Sequence, residues 1–188
     1  MKLILETWRK YLAEGEDGCP ENVVWHGSPA NFDTAVRANK AADASGNIEQ
    51  QRTAVYAFKD KKSAVLAGLV GRAPNGDWAK VFVRPDKGME IIVIRGQIRK
   101  GEKIYLYKMP ADLFRAAGGT GEESGEGVEY ISKDPKDVMW CGKEVEAVDD
   151  WLHLVRYADA QDVEWYREQG QEVTEEDLEF LRKHGSKV

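Results

Sequence analysis

Val81-Phe82-Val83, the run Met89 to Ile94 and Ile104-Tyr105-Leu106-Tyr107 follow one another closely, with glycines and charged pairs between them. Runs this short, rich in β-branched and aromatic residues and broken by turn formers, read as successive strands. Few helices interrupt them. They therefore predict an α+β protein with antiparallel or mixed sheets and argue against a doubly wound parallel sheet.

Upstream, Ala54-Val55-Tyr56-Ala57-Phe58 reads as another strand, and Asp60 is placed to cap a helix carrying Ala64, Leu66, Ala67, Leu69 and Val70. Earlier still, Val23-Val24-Trp25 forms a short apolar strand that delivers His26-Gly27-Ser28-Pro29 to its end. The polar stretch 37–52 reads as a surface loop or an irregular helix. Residues 1–14 set Ile4, Leu5, Trp8, Tyr11 and Leu12 at helical spacing and stop at Gly15, which predicts an amphipathic helix. That helix either docks on the core or serves as a removable or partner-binding leader, and its pattern resembles short leaders on some tailed-phage proteins.

Downstream, Ala116 to Gly127 holds five glycines and three glutamates without a large apolar residue, which predicts a mobile surface loop. Strand character resumes from Val128 to Ser132, and Val145 to Tyr157 reads as two further extended runs around Trp151 and Leu154. Two short helices follow: Asp162 to Gln169, and a second opened by Thr174 with Asp177 three residues on, an approximate capping box. Gly185 ends it. The expected organisation is an N-terminal helix or leader (1–15), a main domain (22–157) and a helical extension (158–188).

The 188 residues, 42% of them hydrophobic, suffice for one packed core with small terminal additions. A net charge of −6, with cations scattered among acids, disfavours non-specific nucleic-acid binding. Arg72, Lys80, Arg84, Arg95, Arg99 and Lys100 are the only hint of a basic groove, and a solvated sheet edge accounts for them as well. Cys19 and Cys141 lie in no metal-binding pattern and suggest neither a disulfide framework nor zinc, so a reducing cytoplasm is expected. No apolar run reaches the roughly 18 residues of a membrane span.

Each candidate for chemistry is ordinary when taken alone; their order and contexts carry the signal. Val23-Val24-Trp25-His26-Gly27-Ser28, then Val55-Tyr56-Ala57-Phe58 leading into Lys62-Ser63-Ala64, then Val128-Glu129-Tyr130-Ile131 occur in that order, each on an expected strand. Together they resemble the ADP-ribosyltransferase superfamily, in the histidine-tyrosine-glutamate class that includes poly(ADP-ribose) polymerases and diphtheria-type toxins. Ile104-Tyr105-Leu106-Tyr107 with Pro110, Leu113 and Phe114 is similar to the family's penultimate strand. The resemblance spans roughly residues 22–157 and implies two small packed sheets with a cleft for NAD between them, and no metal.

It also implies roles. Nicotinamide is cationic while attached and neutral once it leaves, so its departure needs no general acid and one carboxylate suffices. Glu129 is the expected catalytic residue: it accepts a hydrogen bond from the nicotinamide ribose and stabilises the oxocarbenium charge that grows in the transition state. His26 is expected on the adenosine ribose, the Gly27 backbone and the Ser63 hydroxyl on the nicotinamide carboxamide, and Tyr56 against the nicotinamide ring. Ser28 completes the first motif.

Two positions depart from the family pattern. Val65 and Leu66 stand where the polymerases place a second aromatic, which leaves the stacking sandwich incomplete. Gly127 stands two residues before Glu129, where arginine-modifying relatives carry Gln or Glu; Glu126 points to the other strand face. The resemblance thus implies mono-ADP-ribosylation of a macromolecular acceptor, a protein, and the expected location is the cytoplasm, that of a host if the chain is packaged in a virion and delivered. NAD hydrolysis, modification of nucleic acid, and an inactive phage structural or binding module remain alternatives.

Overall fold

A computed structural model describes residues 18–40, 53–72, 76, 79–84, 90–117 and 129–188. The expected N-terminal helix, most of the polar stretch 37–52 and most of the glycine-rich loop lie outside them. The elements run as β1 (Val23–Ser28), β2 (Ala35–Val36), β3 (Asn39–Lys40), β4 (Thr53–Ala54), β5 (Tyr56–Phe58) and helix α1 (Lys61–Gly68). Then come β6 (Val70–Gly71), β7 (Lys80–Arg84), β8 (Glu90–Arg95) and β9 (Gln97–Ile98), followed by β10 (Lys103–Pro110), β11 (Phe114–Ala116) and β12 (Glu129–Ser132). β13 (Val138–Met139), β14 (Gly142–Ala147), β15 (Val155–Tyr157), α2 (Ala160–Glu168) and α3 (Glu175–Lys183) complete the chain. The class is α+β, and among the described residues β15 pairs with β8 in parallel while the sheets are mostly antiparallel.

The chain divides into two compact units, the first taking in described residues up to Gly68 and Lys103–Glu146, the second Leu69–Glu102 and Ala147–Val188. The first unit is built on a six-stranded sheet of order β11-β12-β5-β1-β10-β14. β1 pairs with β10 along all six of its residues, from Val23 opposite Pro110 to Ser28 opposite Tyr105. One face of this sheet is apolar: Val24, Ala57, Tyr107, Met109 and Tyr130 cluster with Val36 and Val138 from the small β2–β13 sheet. Alternation along β1 and β5 explains this, because every second side chain falls on the same face.

α1 covers the opposite face. Asp60 caps it as expected, its carboxylate accepting from the Ser63 N–H at 2.7 Å. The helix ends at Gly68 instead of continuing to Val70, which opens strand β6. A side chain at Gly68 would meet the Ile104 methyl at 2.7 Å.

In the second unit, β8 lies between β15 and β7. Its Ile91-Ile92-Val93-Ile94 run is buried throughout, as a strand covered on both faces requires. Ile92 and Ile94 pack with Val163, Tyr166, Val173 and Leu181, so the two C-terminal helices contribute to this core. Both helices open with a complete capping box, Asp159 with Asp162 and Thr174 with Asp177. Trp151, His153 and Leu154 lie in a 3-10 helix, Val148–Leu154, between β14 and β15 and not in an extended run.

Two charge expectations need correction. Arg84 is buried against Asp162, Lys80 pairs with Asp177 at 2.8 Å, Arg95 with Glu176 at 3.1 Å, and Arg99 with Glu102. These four form no basic groove: Lys80, Arg84 and Arg95 meet carboxylates distant in sequence and Arg99 one three residues on, while Arg72 and Lys100 are exposed as a solvated edge would have them. Likewise Cys19 and Cys141 form a disulfide, with Cα atoms 5.1 Å apart across 122 residues of sequence. Separation along the chain said nothing about separation in space, and a reducing compartment no longer follows from the cysteines.

Candidate functional site

β1, β5 and β12 carry the three sequence motifs, and they are consecutive neighbours in the six-stranded sheet. Glu129 stands opposite Phe58, and Phe58 opposite Trp25. Trp25 is in turn opposite Lys108 on β10. Residues paired this way share a face, so Glu129, Phe58, Trp25 and Lys108 form one row across four strands. Tyr56 lies on the same face, two residues before Phe58 and opposite Ile131.

His26 is on the other face. It stands opposite Tyr107, with ring centroids 6.3 Å apart, and its ring lies 6.4 Å from that of Phe32. The structure therefore brings Tyr56 and Glu129 to one side of the sheet and His26 to the other.

A backbone feature nevertheless joins His26 to Tyr56. β1 and β5 are registered at Trp25 opposite Phe58, and among the described residues that ladder goes no further. In its place the His26 ring approaches the Tyr56 carbonyl, Nδ1 to O at 2.6 Å. A carbonyl only accepts, so Nδ1 carries the proton and a neutral ring offers Nε2 as an acceptor. Burial holds the His26 pKa below its usual value, partly opposed by the bond to Tyr56. At neutral pH the ring is an uncharged, oriented acceptor suited to a hydroxyl donor.

Gly27 sits where the β1–β5 ladder stops. A Cβ there would lie 1.8 Å from the Ala64 carbonyl oxygen of α1, so only glycine lets helix and strand approach this closely. Ser63, in the first turn of α1, is buried, as are Val65 and Leu66. Ser28 is also buried, and its hydroxyl accepts from the Ala30 N–H at 3.1 Å.

Glu129 opens β12, and its carbonyl accepts from the Ala117 N–H at 2.8 Å. Over the same face of the sheet, Lys61 from α1 bridges Glu144 and Glu146, both at 2.6 Å, and Lys108 reaches Glu144 at 3.2 Å. Hydrogen bonding from Lys61 holds Glu144 below the usual carboxylate pKa, and the two carboxylates raise that of Lys61. These groups neutralise one another.

A separate cleft of about 460 Å³, lined by residues including Asp112, Leu113, Ser132, Lys133, Asp137 and Met139, contains none of the expected site residues. Among the described residues, no group of three or more His, Cys, Asp or Glu is arranged to hold a metal, and no helix is long and apolar enough to cross a membrane. Comparison of the chain with protein-family models, with curated proteins and with solved structures gives no match.

Reading the sequence missed Asn31 and Lys143 and took Trp140 as a core residue, which packs against the apolar cluster of this sheet. All three gather around Tyr107 on the His26 face: Lys143 binds Asn31, its ammonium is 5.8 Å from the Tyr107 ring, and the Trp140 ring is 5.9 Å from it. Alternation along β14 is the one signal available, since it sets Lys143 and Glu144 on opposite faces.

Proposed function

We propose that the first unit binds NAD and cleaves its nicotinamide bond as a mono-ADP-ribosyltransferase acting on a macromolecule, with Glu129 as the catalytic carboxylate. The observation that carries this reading is the adjacency of β12, β5 and β1: three segments far apart in sequence meet as neighbouring strands of one sheet. The end of the β1–β5 ladder adds to it, because the Gly27 backbone has no ladder partner on the β5 side among the described residues. The nicotinamide carboxamide binds there, near Ser63, while Tyr56 stacks on the ring. His26 accepts a ribose hydroxyl through Nε2. Glu129 stabilises the positive charge that develops on the ribose as nicotinamide leaves.

The test is release of free nicotinamide and transfer of label from adenine-labelled NAD, alone and with a cell lysate, by the protein and by Glu129→Gln. That substitution keeps size and removes charge. Glu129-dependent label on a macromolecule supports the transferase. Glu129-dependent nicotinamide release without label supports a hydrolase, and turnover that survives the substitution removes Glu129 from the mechanism.

A second reading, a binding module without catalysis, draws on the opposite faces taken by His26 and Glu129. It requires NAD to bind and no nicotinamide to be released.

A further inference from the structure

Lys143 is a half-buried cation without a carboxylate partner among the described residues. Lys61, Lys80, Lys108, Arg84, Arg95 and Arg156 all meet carboxylates. The Lys143 ammonium is instead held by the Asn31 side-chain oxygen and lies over three rings: Tyr105 at 5.0 Å, Tyr107 at 5.8 Å and Trp140 at 6.0 Å. Ring faces attract a cation and orient it, yet they leave its charge uncompensated.

A second donor in the same cluster, the Trp140 indole, has no acceptor among the described residues. Its Nε1 is buried. Buried donors are normally satisfied, so this indole N–H, together with an ammonium 6.0 Å from the same ring that is held by a neutral oxygen and, among the described residues, by no carboxylate, points to an acceptor of negative charge. Asp33 is the carboxylate whose charge acts on Tyr107, and it forms no ion pair with Lys143 among the described residues.

The surroundings are rigid. Tyr107 Oη donates to the Ala30 carbonyl at 2.8 Å and accepts from the Phe32 N–H at 2.6 Å, which pins the turn that carries Asn31. The same Tyr107 ring lies 6.3 Å from that of His26, so the ammonium and the expected ribose-binding imidazole neighbour one aromatic residue.

We infer that Lys143, positioned by Asn31, Tyr105, Tyr107 and Trp140, is the cation of a diphosphate-binding subsite. The identity of the ligand as the diphosphate bridge of NAD rests on the function proposed above. The charge argument does not depend on it. A bridge between two riboses fits the arrangement: His26 takes the adenosine ribose, and the adjacent cation takes the phosphates attached to that ribose.

The experiment is calorimetric titration of the full chain, Lys143→Met and Lys143→Arg with ADP-ribose, with inorganic pyrophosphate and with adenosine, at low and at physiological salt. Methionine retains the length and packing of the stem, and circular dichroism checks that each variant folds. The inference expects Lys143→Met to weaken ADP-ribose and pyrophosphate on the order of tenfold, the scale of one charge-assisted hydrogen bond. It also expects Lys143→Arg to retain most of that affinity and adenosine binding to be unchanged.

Equal loss for adenosine makes Lys143 a packing residue and overturns the inference. So does failure of the unaltered protein to bind pyrophosphate or ADP-ribose. Diphosphate binding that depends on Lys143, in a protein that releases no nicotinamide from NAD, sustains the subsite while removing the transferase reading.

Discussion

Reduction of the Cys19–Cys141 disulfide is the perturbation with the largest effect that can be worked from chain connectivity. The bond joins the approach to β1 with the approach to β14 and closes a loop of 122 residues. Loop-closure entropy for that length predicts about 5 kcal/mol of stabilisation at 25 °C, an upper figure because residual structure in the reduced, unfolded chain lowers it. For a chain of this size 1 kcal/mol moves the melting temperature by about 2–4 °C, so reduction should lower it by on the order of 10 °C or more. The local packing is close: a Cβ on Gly142 would already touch the Cys19 Sγ at 3.1 Å.

Alkylation under denaturing conditions followed by mass spectrometry counts free thiols in air-oxidised protein, and none is expected. Scanning calorimetry then compares oxidised protein, protein with a thiol reductant, and Cys19→Ser with Cys141→Ser in one chain. The reduced and doubly substituted forms should melt alike and well below the oxidised form. Two alkylated thiols in the oxidised sample, or melting temperatures that coincide, would refute the reasoning.

Three more outcomes follow from named contacts. Gly27→Ala should destabilise by about 3 kcal/mol or more, since its Cβ meets helix backbone and not a side chain that can turn away; urea unfolding measures it, and a change under 1 kcal/mol contradicts the packing. His26 binds its proton less readily when folded, so its contribution is fully present above its unfolded pKa of about 6.5 and is lost as pH falls toward the lower folded value. Stability measured across that acidic window should fall less steeply in His26→Gln. Asp177 is fully buried and meets Lys80, Arg95 and the Thr174 N–H. Burial alone would raise its pKa, but the Lys80 and Thr174 bonds outweigh that and hold it low; Asp177→Ala should cost about 3–5 kcal/mol, and retention of wild-type stability would show the cluster to be neutral.

Local chemistry made much of the fold legible. Asp60 before α1, Thr174 with Asp177 before α3 and Gly185 after it are signals that act within one turn of helix, and each sits where its hydrogen bonds or backbone angle require. The apolar run Ile91 to Ile94 reads as a strand because it is one, buried on both faces. Trp151 and Leu154 misled because aromatic and aliphatic residues fit a 3-10 turn as well as a strand, and sequence alone holds no record of the hydrogen bonds that choose between them.

The candidate site divides the same way. The order of His26, Tyr56 and Glu129 and their expected strands were visible along the chain, because a strand motif is a run of adjacent residues. Their faces were not, since the face of a strand depends on its register with its neighbours, and Glu129 opposite Phe58 opposite Trp25 is settled only when the sheet forms. Lys143 beside Tyr107, Arg84 against Asp162 and Cys19 bonded to Cys141 follow the same rule. What the sequence by itself determined is each residue's local preference and the α+β class. Only the tertiary structure decided which charges are neutralised, which thiols meet and which cation is left facing the aromatic cluster, because those are contacts between residues that the chain keeps far apart.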